Sequence, residues 1–307
     1  MGAAPLAATL STSILSAQAP QGARGGQGAR GAQAPAAAAP AAPARPRTKI
    51  QQSVMSSVWG SQNSLPIEEK CKILQRIGFK AMDLPTAAQV PVLKQYGLAP
   101  AMMTLQTGTS FQNGLIRKEL ADAIETATKA SIDQAVTLGC PNIILLPGEK
   151  RGMSPEEGAD NAVAVFNRVK GYAEQKGVNL CMEITNSKVV ADARTDQVFN
   201  HVAWGFDVCK RVNSPRVKIV YDMYHVQIAD GDITRIMRDN IDHICHIHVA
   251  GVPTRQEIDD TQEINWRFVA NAIADLGYTG YVAHEYRPAM GRDPIKSLEQ
   301  CFEIMNV

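Results

Sequence analysis

At 307 residues and 45% hydrophobic, the chain is long enough to bury a large core, as one large domain or two ordinary ones. Its formal charge of +1 is unevenly spread: five cations (Arg24, Arg30, Arg45, Arg47 and Lys49) and no acid precede Glu68, which leaves 26 basic against 30 acidic residues in the rest. An acidic body excludes a phosphate backbone as partner, and the lack of any run of about 18 apolar residues excludes a membrane-spanning helix.

The first segment in chain order, residues 1–19, contains "AAPLAATLSTSILSAQA", which has the length and small-residue ending of a signal-peptide core with an A-x-A site at Ala17 to Ala19. It lacks a basic stretch in front and is followed by Pro20, so an exported or periplasmic location is only slightly favoured over a cytoplasmic one. Residues 20–47 are almost entirely Ala, Gly, Pro, Gln and Arg. Such a composition cannot bury enough apolar surface to offset ordering entropy and reads as a disordered linker. The folded body is expected over residues 48–307.

There, short apolar runs alternate with amphipathic stretches. "SVMSSVW" precedes the helical "LPIEEKCKILQRIG", "KAMDL" precedes "AAQVPVLKQYG", and "APAMMTL" precedes a long helix from about Arg117 to Leu138. "NIILLPG" leads to "SPEEGADNAVAVFNRVKGYAEQKG", "NLCMEI" to a segment around Asp196 to Val212, and "VKIVYD" to "DITRIMRDN". "ICHIHVA" precedes "INWRFVANAIADLG", and "GYVAHE" precedes "DPIKSLEQCFEIM". Glycine closes several helices just before the next strand, as in "LGCPN", "QKGVN" and "LGYTG". Eight such units in about 255 residues predict a (β/α)8 TIM barrel. A doubly wound open sheet is the alternative, but no Gly-rich phosphate loop follows the first strand. The six cysteines stand singly in apolar segments and are expected to be buried thiols.

Active sites of such barrels lie at the C-terminal ends of the strands. Strand five ends in Glu183, strand six in Asp222, strand seven in His248 and strand eight in Glu285. Three carboxylates in one confined rim repel one another unless a positive charge compensates them, and a divalent cation is the simplest. The donor set of three carboxylates and one imidazole suits Mn²⁺, Mg²⁺ or Co²⁺, with Zn²⁺ as second choice, and leaves about two positions for substrate oxygens. Rim carboxylates satisfied by backbone amides are the plainer reading. His246 shares the strand parity of His248 and competes with it as the ligand. Asp83, at the end of strand two, is expected to support a ligand or cap a loop, and His201, His243 and His284 are expected to be structural.

The stretches "CMEITN", "VYDMYHVQIADGDITRIMRDNIDHICHIHVA", "VPTRQEIDDTQEINW" and "GYVAHEYRPA" together resemble the hydroxypyruvate isomerase branch of the xylose isomerase-like TIM barrels. The resemblance runs from about Gln51 to the end and is densest after residue 180. It implies a metal held by Glu183, Asp222, His248 and Glu285, substrate contacts from His225 and Arg255, and Glu183 with Glu285 as the acid and base. It further implies an enzyme that acts on a small hydroxy-keto acid or ketose through an enediolate; whether the barrel forms a homo-oligomer stays open. On the plainer reading, His225 caps the following loop and Arg255 is a solvated charge.

This chain departs from that pattern in places. It has His248 and "VAG" at 249–251 where hydroxypyruvate isomerases tend to carry Gln and "VAD", and Ile184 with Thr185 where Pro often follows the strand-five glutamate. The histidine is the choice of the ketose 3-epimerases. Three activities on one site therefore stay open: hydroxypyruvate-type isomerase, ketose 3-epimerase, and keto-sugar dehydratase or lyase. A non-catalytic sugar-binding barrel is a more remote alternative. A DNA repair endonuclease of the same superfamily would need metal ligands on the early strands, where "MMTL" and "LLPG" supply none.

Overall fold

The computed structural model describes residues 49–105, 108–189 and 200–307. The leader-like stretch and the linker expected before residue 48 lie outside the described residues, as does the start of the segment expected from Asp196.

Each short apolar run pairs in parallel with the next, and the last returns to the first. The strands are β1 (Gln51–Val54), β2 (Ala81–Asp83), β3 (Ala99–Thr104), β4 (Asn142–Leu145), β5 (Asn179–Glu183), β6 (Val217–Asp222), β7 (Ile244–Val249) and β8 (Tyr281–His284), closed into one barrel in that order. Pairs such as Gln52 with Val282 seal β1 against β8. The expected TIM barrel is the observed fold, and closure removes every sheet edge.

The helices of the outer layer are α1 (Ile67–Ile77), α2 (Val90–Gln95), α3 (Ala121–Leu138), α4 (Pro155–Lys176), α5 (Val202–Val212), α6 (Met223–Ala229), α7 (Ile233–Asp239), α8 (Trp266–Asp275) and α9 (Pro294–Met305). Local chemistry sets their ends. Ser154 accepts the Glu157 N–H at 3.2 Å with Pro155 next in line, which starts α4, and Gly177 at φ 71° stops it. No helix among the described residues is long and apolar enough to cross a membrane.

The main core lies between barrel and helices and contains Leu74, Phe166, Val169, Ile219, Ile247 and Leu298, all fully buried. A second, small cluster of Met102, Cys181, Val220 and Cys245 fills the lumen. Two irregularities shape that lumen. Ile219 pairs with Ile244 and Val220 with His246, so Cys245 is skipped by the ladder; similarly Asp83 pairs with Met102 and Ala101 is skipped. Cys245 pairs with Cys181 as a disulfide, so the expectation of six free thiols holds for Cys71, Cys140, Cys209 and Cys301 alone. A separation of 64 residues, with a whole strand between the two cysteines, leaves no spacing signal in the sequence.

Two elements differ from expectation. The first strand stops at Val54, where Met55 N–H donates to the His284 carbonyl at 3.0 Å, and the chain then coils into a 3-10 segment over Ser56–Gln62 that buries Val58 and Trp59. Directly after β6, where a loop was expected, the chain forms α6.

Candidate metal centre and active site

The last residues of β5, β6, β7 and β8 turn into one mouth of the barrel. Glu183, Asp222, His248 and Glu285 each present one ligand atom, and these four atoms all lie within 4.8 Å of one another. Strand parity explains the convergence: Glu183 lies two residues beyond Cys181 on the inward face, and Glu285, one residue past β8, keeps the ladder by donating its N–H to the Val249 carbonyl at 2.9 Å. His284 faces the other way. Its ring is fully buried, with Nε2 2.8 Å from Gln52 Oε1 and its edge against Phe79.

Asp222 ends β6 and caps α6, its Oδ1 accepting the Tyr224 N–H at 2.9 Å. Its Oδ2 stays in the mouth, 3.1 Å from Arg255 Nη2. The first turn of α6 carries His225, which is buried and held by Asn186. The Asn186 N–H donates to His225 Nδ1 at 3.2 Å. His225 Nε2 faces Asp222 Oδ2 at 3.4 Å and Arg255 Nη1 at 3.0 Å. Burial and the neighbouring guanidinium hold His225 well below its usual pKa, so the ring is neutral near pH 7.

Arg255 is not a solvated loop charge. Its side chain is 11% exposed, reaches Asp222 Oδ2 at 3.1 Å and Glu285 Oε2 at 2.8 Å, and lies over the Tyr224 ring at 4.9 Å. The loop that carries it closes on itself: Gly251 N–H donates to the Gln256 carbonyl at 2.8 Å, and Arg255 N–H, at φ 55°, donates to the Gly251 carbonyl at 2.7 Å. A Cβ at position 251 would sit 2.3 Å from the Glu257 carbonyl oxygen, which accounts for "VAG" in place of "VAD".

Below Arg255 the loop is pinned by Glu257, which is 1% exposed. Its carboxylate accepts the Ala289 N–H at 3.1 and 3.2 Å and the Ser297 hydroxyl at 2.6 Å. Asp259 accepts from Thr261 and Arg292 in the same layer. Nothing in the sequence singles out these two carboxylates, Asn186 or the contact of His246 with Asp83. No periodicity marks residues that act by docking one loop onto another.

The electrostatics show what the cluster needs. Burial pushes the Asp222 carboxyl up to about 7, against the opposing pull of Arg255. Burial also raises Glu285, but Arg255 and His248 outweigh it and hold its carboxyl well below the usual range. His248 Nδ1 and Glu285 Oε2 lie 2.8 Å apart, and Glu183 Oε1 is 3.7 Å from the same nitrogen. Although close, Nδ1 and Oε2 are buried and neither makes an aligned hydrogen bond. Two such atoms among three carboxylates fit the place of a cation, and the oxygen-rich donor set fits a hard divalent one.

Beside the cluster is a cavity of about 310 Å³. Glu183, His248 and Glu285 form one wall, and Met55, Leu84, Leu105, Phe111, Ile144 and Leu146 form most of the other, with hydroxyls from Thr104 and Thr109.

The model of the family described as xylose isomerase-like TIM barrel matches residues 71–301. The chain belongs to that family. Within it, the chain is 26% identical over 237 residues to a protein named 2-oxo-tetronate isomerase from Pectobacterium atrosepticum, covering 73% of this chain and 87% of that one. It is 27% identical over 182 residues to a putative hydroxypyruvate isomerase from Xenopus laevis, covering 58% and 64%. Among solved structures, one titled AP endonuclease, family 2, from Brucella melitensis superposes with a TM-score of 0.70 at 21% identity, over 81% of this chain and 97% of that one. A D-psicose 3-epimerase with D-tagatose from Clostridium cellulolyticum H10 superposes with 0.66 at 17%, over 83% and 96%. Identities of that order establish a shared fold alone.

Proposed function

We propose that this chain is a divalent-metal-dependent isomerase that moves the carbonyl between C2 and C3 of a short 2-oxo-3-hydroxy acid, the class to which hydroxypyruvate and 2-oxo-tetronate belong. The observation that carries the reading is the convergence of Glu183, Asp222, His248 and Glu285 from four consecutive strands, beside a buried arginine. An ion bound there would act as a Lewis acid on the two vicinal substrate oxygens and stabilise the enediolate charge.

The chain's own residues supply the rest. Glu183 and Glu285 flank His248, and one takes the proton from the carbon beside the carbonyl while the other returns a proton to the former carbonyl carbon. His225 turns Nε2 to the mouth beside Asp222 and Arg255, where that nitrogen is placed to hydrogen-bond a substrate oxygen. Arg255 reads the substrate carboxylate, a task for which its planar fork is suited.

The cavity favours an acid over a free ketose. Its volume is at the lower end of the roughly 300–1,000 Å³ usual for ligand sites. The apolar wall offers a polyhydroxylated tail little to replace its lost water, and burying an unpaired hydroxyl is costly.

The test is to load the full chain with Mn²⁺, exchange it to Mg²⁺, and incubate it in D₂O with short keto acids, free ketoses and inososes. Deuterium next to the carbonyl of the keto acids, lost with chelator, together with the shifted carbonyl in the product, supports the reading. Exchange confined to ketoses with inversion at C3 would make it an epimerase, and loss of water from the substrate would make it a dehydratase. No exchange in any class, with metal bound, would favour a sugar-binding barrel.

A further inference from the structure

A buried charged group of the lumen outside the rim is Asp83, at the end of β2. It is 2% exposed and stands outside the group of Glu183, Asp222, His248 and Glu285, although with His246 and His248 it forms a second buried group whose ligand atoms lie within 4.8 Å of one another. Its Oδ1 accepts the hydroxyl of Ser53 from β1. Its Oδ2 lies 2.6 Å from His246 Nε2 and 3.3 Å from His248 Nε2. Its two oxygens thus face one hydroxyl and two imidazole nitrogens, all of them able to donate to a carboxylate.

An acceptor fixed on one ring nitrogen decides where the proton of a neutral imidazole sits. We propose that Asp83 sets the tautomer of His248: it holds the proton on Nε2 and turns the Nδ1 lone pair towards Glu183 and Glu285, where the divalent ion binds. Asp83 is thus a positioning residue that touches neither substrate nor metal. The geometry agrees from both ends of the ring. Nε2 is within hydrogen-bond distance of Asp83, while Nδ1 makes no aligned hydrogen bond although Glu285 Oε2 is 2.8 Å away. His246 meets His248 edge-on, with ring centroids 5.0 Å apart and planes at 88°, and restrains it from the side. Ser53 fixes the carboxylate from β1, so the orientation of one ligand on β7 depends on two further strands of the barrel.

This inference rests on the metal-dependent reading above, and the two fail in different ways. The first measurement needs no substitution: long-range proton–nitrogen correlation spectra of the ¹⁵N-labelled full chain loaded with Mg²⁺, with His248 assigned from a His248→Gln spectrum. The expected result is a protonated Nε2 and an unprotonated Nδ1. A protonated Nδ1 with bare Nε2 would overturn the proposal while leaving metal binding intact. If Mn²⁺ broadens no His248 resonance and calorimetry detects no Mn²⁺ binding to the unsubstituted chain, the underlying metal reading falls. The second measurement is Mn²⁺ affinity of Asp83→Asn, whose amide can donate to Nε2 and so favours the wrong tautomer. Losing such a partner typically weakens metal binding by about 10- to 100-fold, and that is the expected loss. Ser53→Ala, which keeps the carboxylate, is expected to lose less. A folded Asp83→Asn protein that binds Mn²⁺ as tightly as the unsubstituted chain overturns the proposal.

Discussion

Replacing Glu257 with alanine removes the acceptor that docks the Arg255 loop onto the segment after β8. Two donors lose their partner, the Ala289 N–H and the Ser297 hydroxyl, both bound to a carboxylate that is 1% exposed. Hydrogen bonds to a charged group contribute roughly 1.5–3 kcal/mol each, so the lower end for two gives about 3 kcal/mol. Arg292, 3.5 Å away and 31% exposed, adds little after solvent screening. At about 2–4 °C per kcal/mol for a domain of this size, the melting temperature should fall by about 6–12 °C. The loop's other restraints remain, namely the Gly251 to Gln256 contact, the Arg287 N–H on the Arg255 carbonyl at 2.8 Å and the Asp259 to Arg292 pair, so the protein folds but Arg255 is less well placed. KM for the keto acid should therefore rise about tenfold or more, since small misplacements of a binding group are costly. Thermal melts of the metal-loaded protein, paired with initial-rate kinetics, measure both. A shift below about 2 °C with unchanged KM would refute the argument that Glu257 anchors the arginine.

Three other outcomes follow from the same geometry. Glu285→Gln keeps an oxygen donor for the metal but removes the acid or base, so deuterium exchange should fall by about 10²- to 10⁴-fold while Mn²⁺ still binds; retained exchange would remove Glu285 from that role. Burial lowers His284 to about 3, so its neutral ring contributes stability that is full above about pH 6.5 and is lost as the pH falls towards 3. The stability gap between the unsubstituted chain and His284→Gln, read by urea unfolding, should accordingly shrink from pH 7 to pH 4, and a constant gap would contradict that shift. Stripping the metal should lower the melting temperature, because an ion at 100 times its Kd stabilises the fold by about 2.7 kcal/mol; equal melts with chelator and with Mn²⁺ would argue against a resident ion.

The barrel was legible because each strand is a short apolar run and each helix has chemical punctuation at its ends. The four rim residues were legible for a related reason: parity along a strand sends alternate side chains inward, and Glu183, Asp222, His248 and Glu285 recur at matching places. Parity also separated His284 from Glu285 correctly. It left His246 and His248 tied, and the structure separates them by depth, with His246 against Asp83 and His248 reaching both Asp83 and the carboxylates. Helix α6 was not legible, because "MYHVQIA" is short and its start signal is an aspartate already accounted for as a rim residue. Nor was the burial of Arg255, Glu257 and Asp259, since contacts between loops 30 residues apart leave no local pattern.

The dual duty of Asp222 explains why the rim mixes acids of two lengths. Strand β6 passes into α6 without a connecting residue, so the side chain at the junction must cap a helix and also reach the mouth. Oδ1 is committed to the Tyr224 amide, so Oδ2 alone faces the mouth, where it accepts from Arg255. A glutamate here would carry its carboxylate one methylene too far to cap the turn that orients His225. The other two acidic rim positions, Glu183 and Glu285, have no helix to start and can take the longer acid. The choice of acid at each position is thus governed by what the backbone does next.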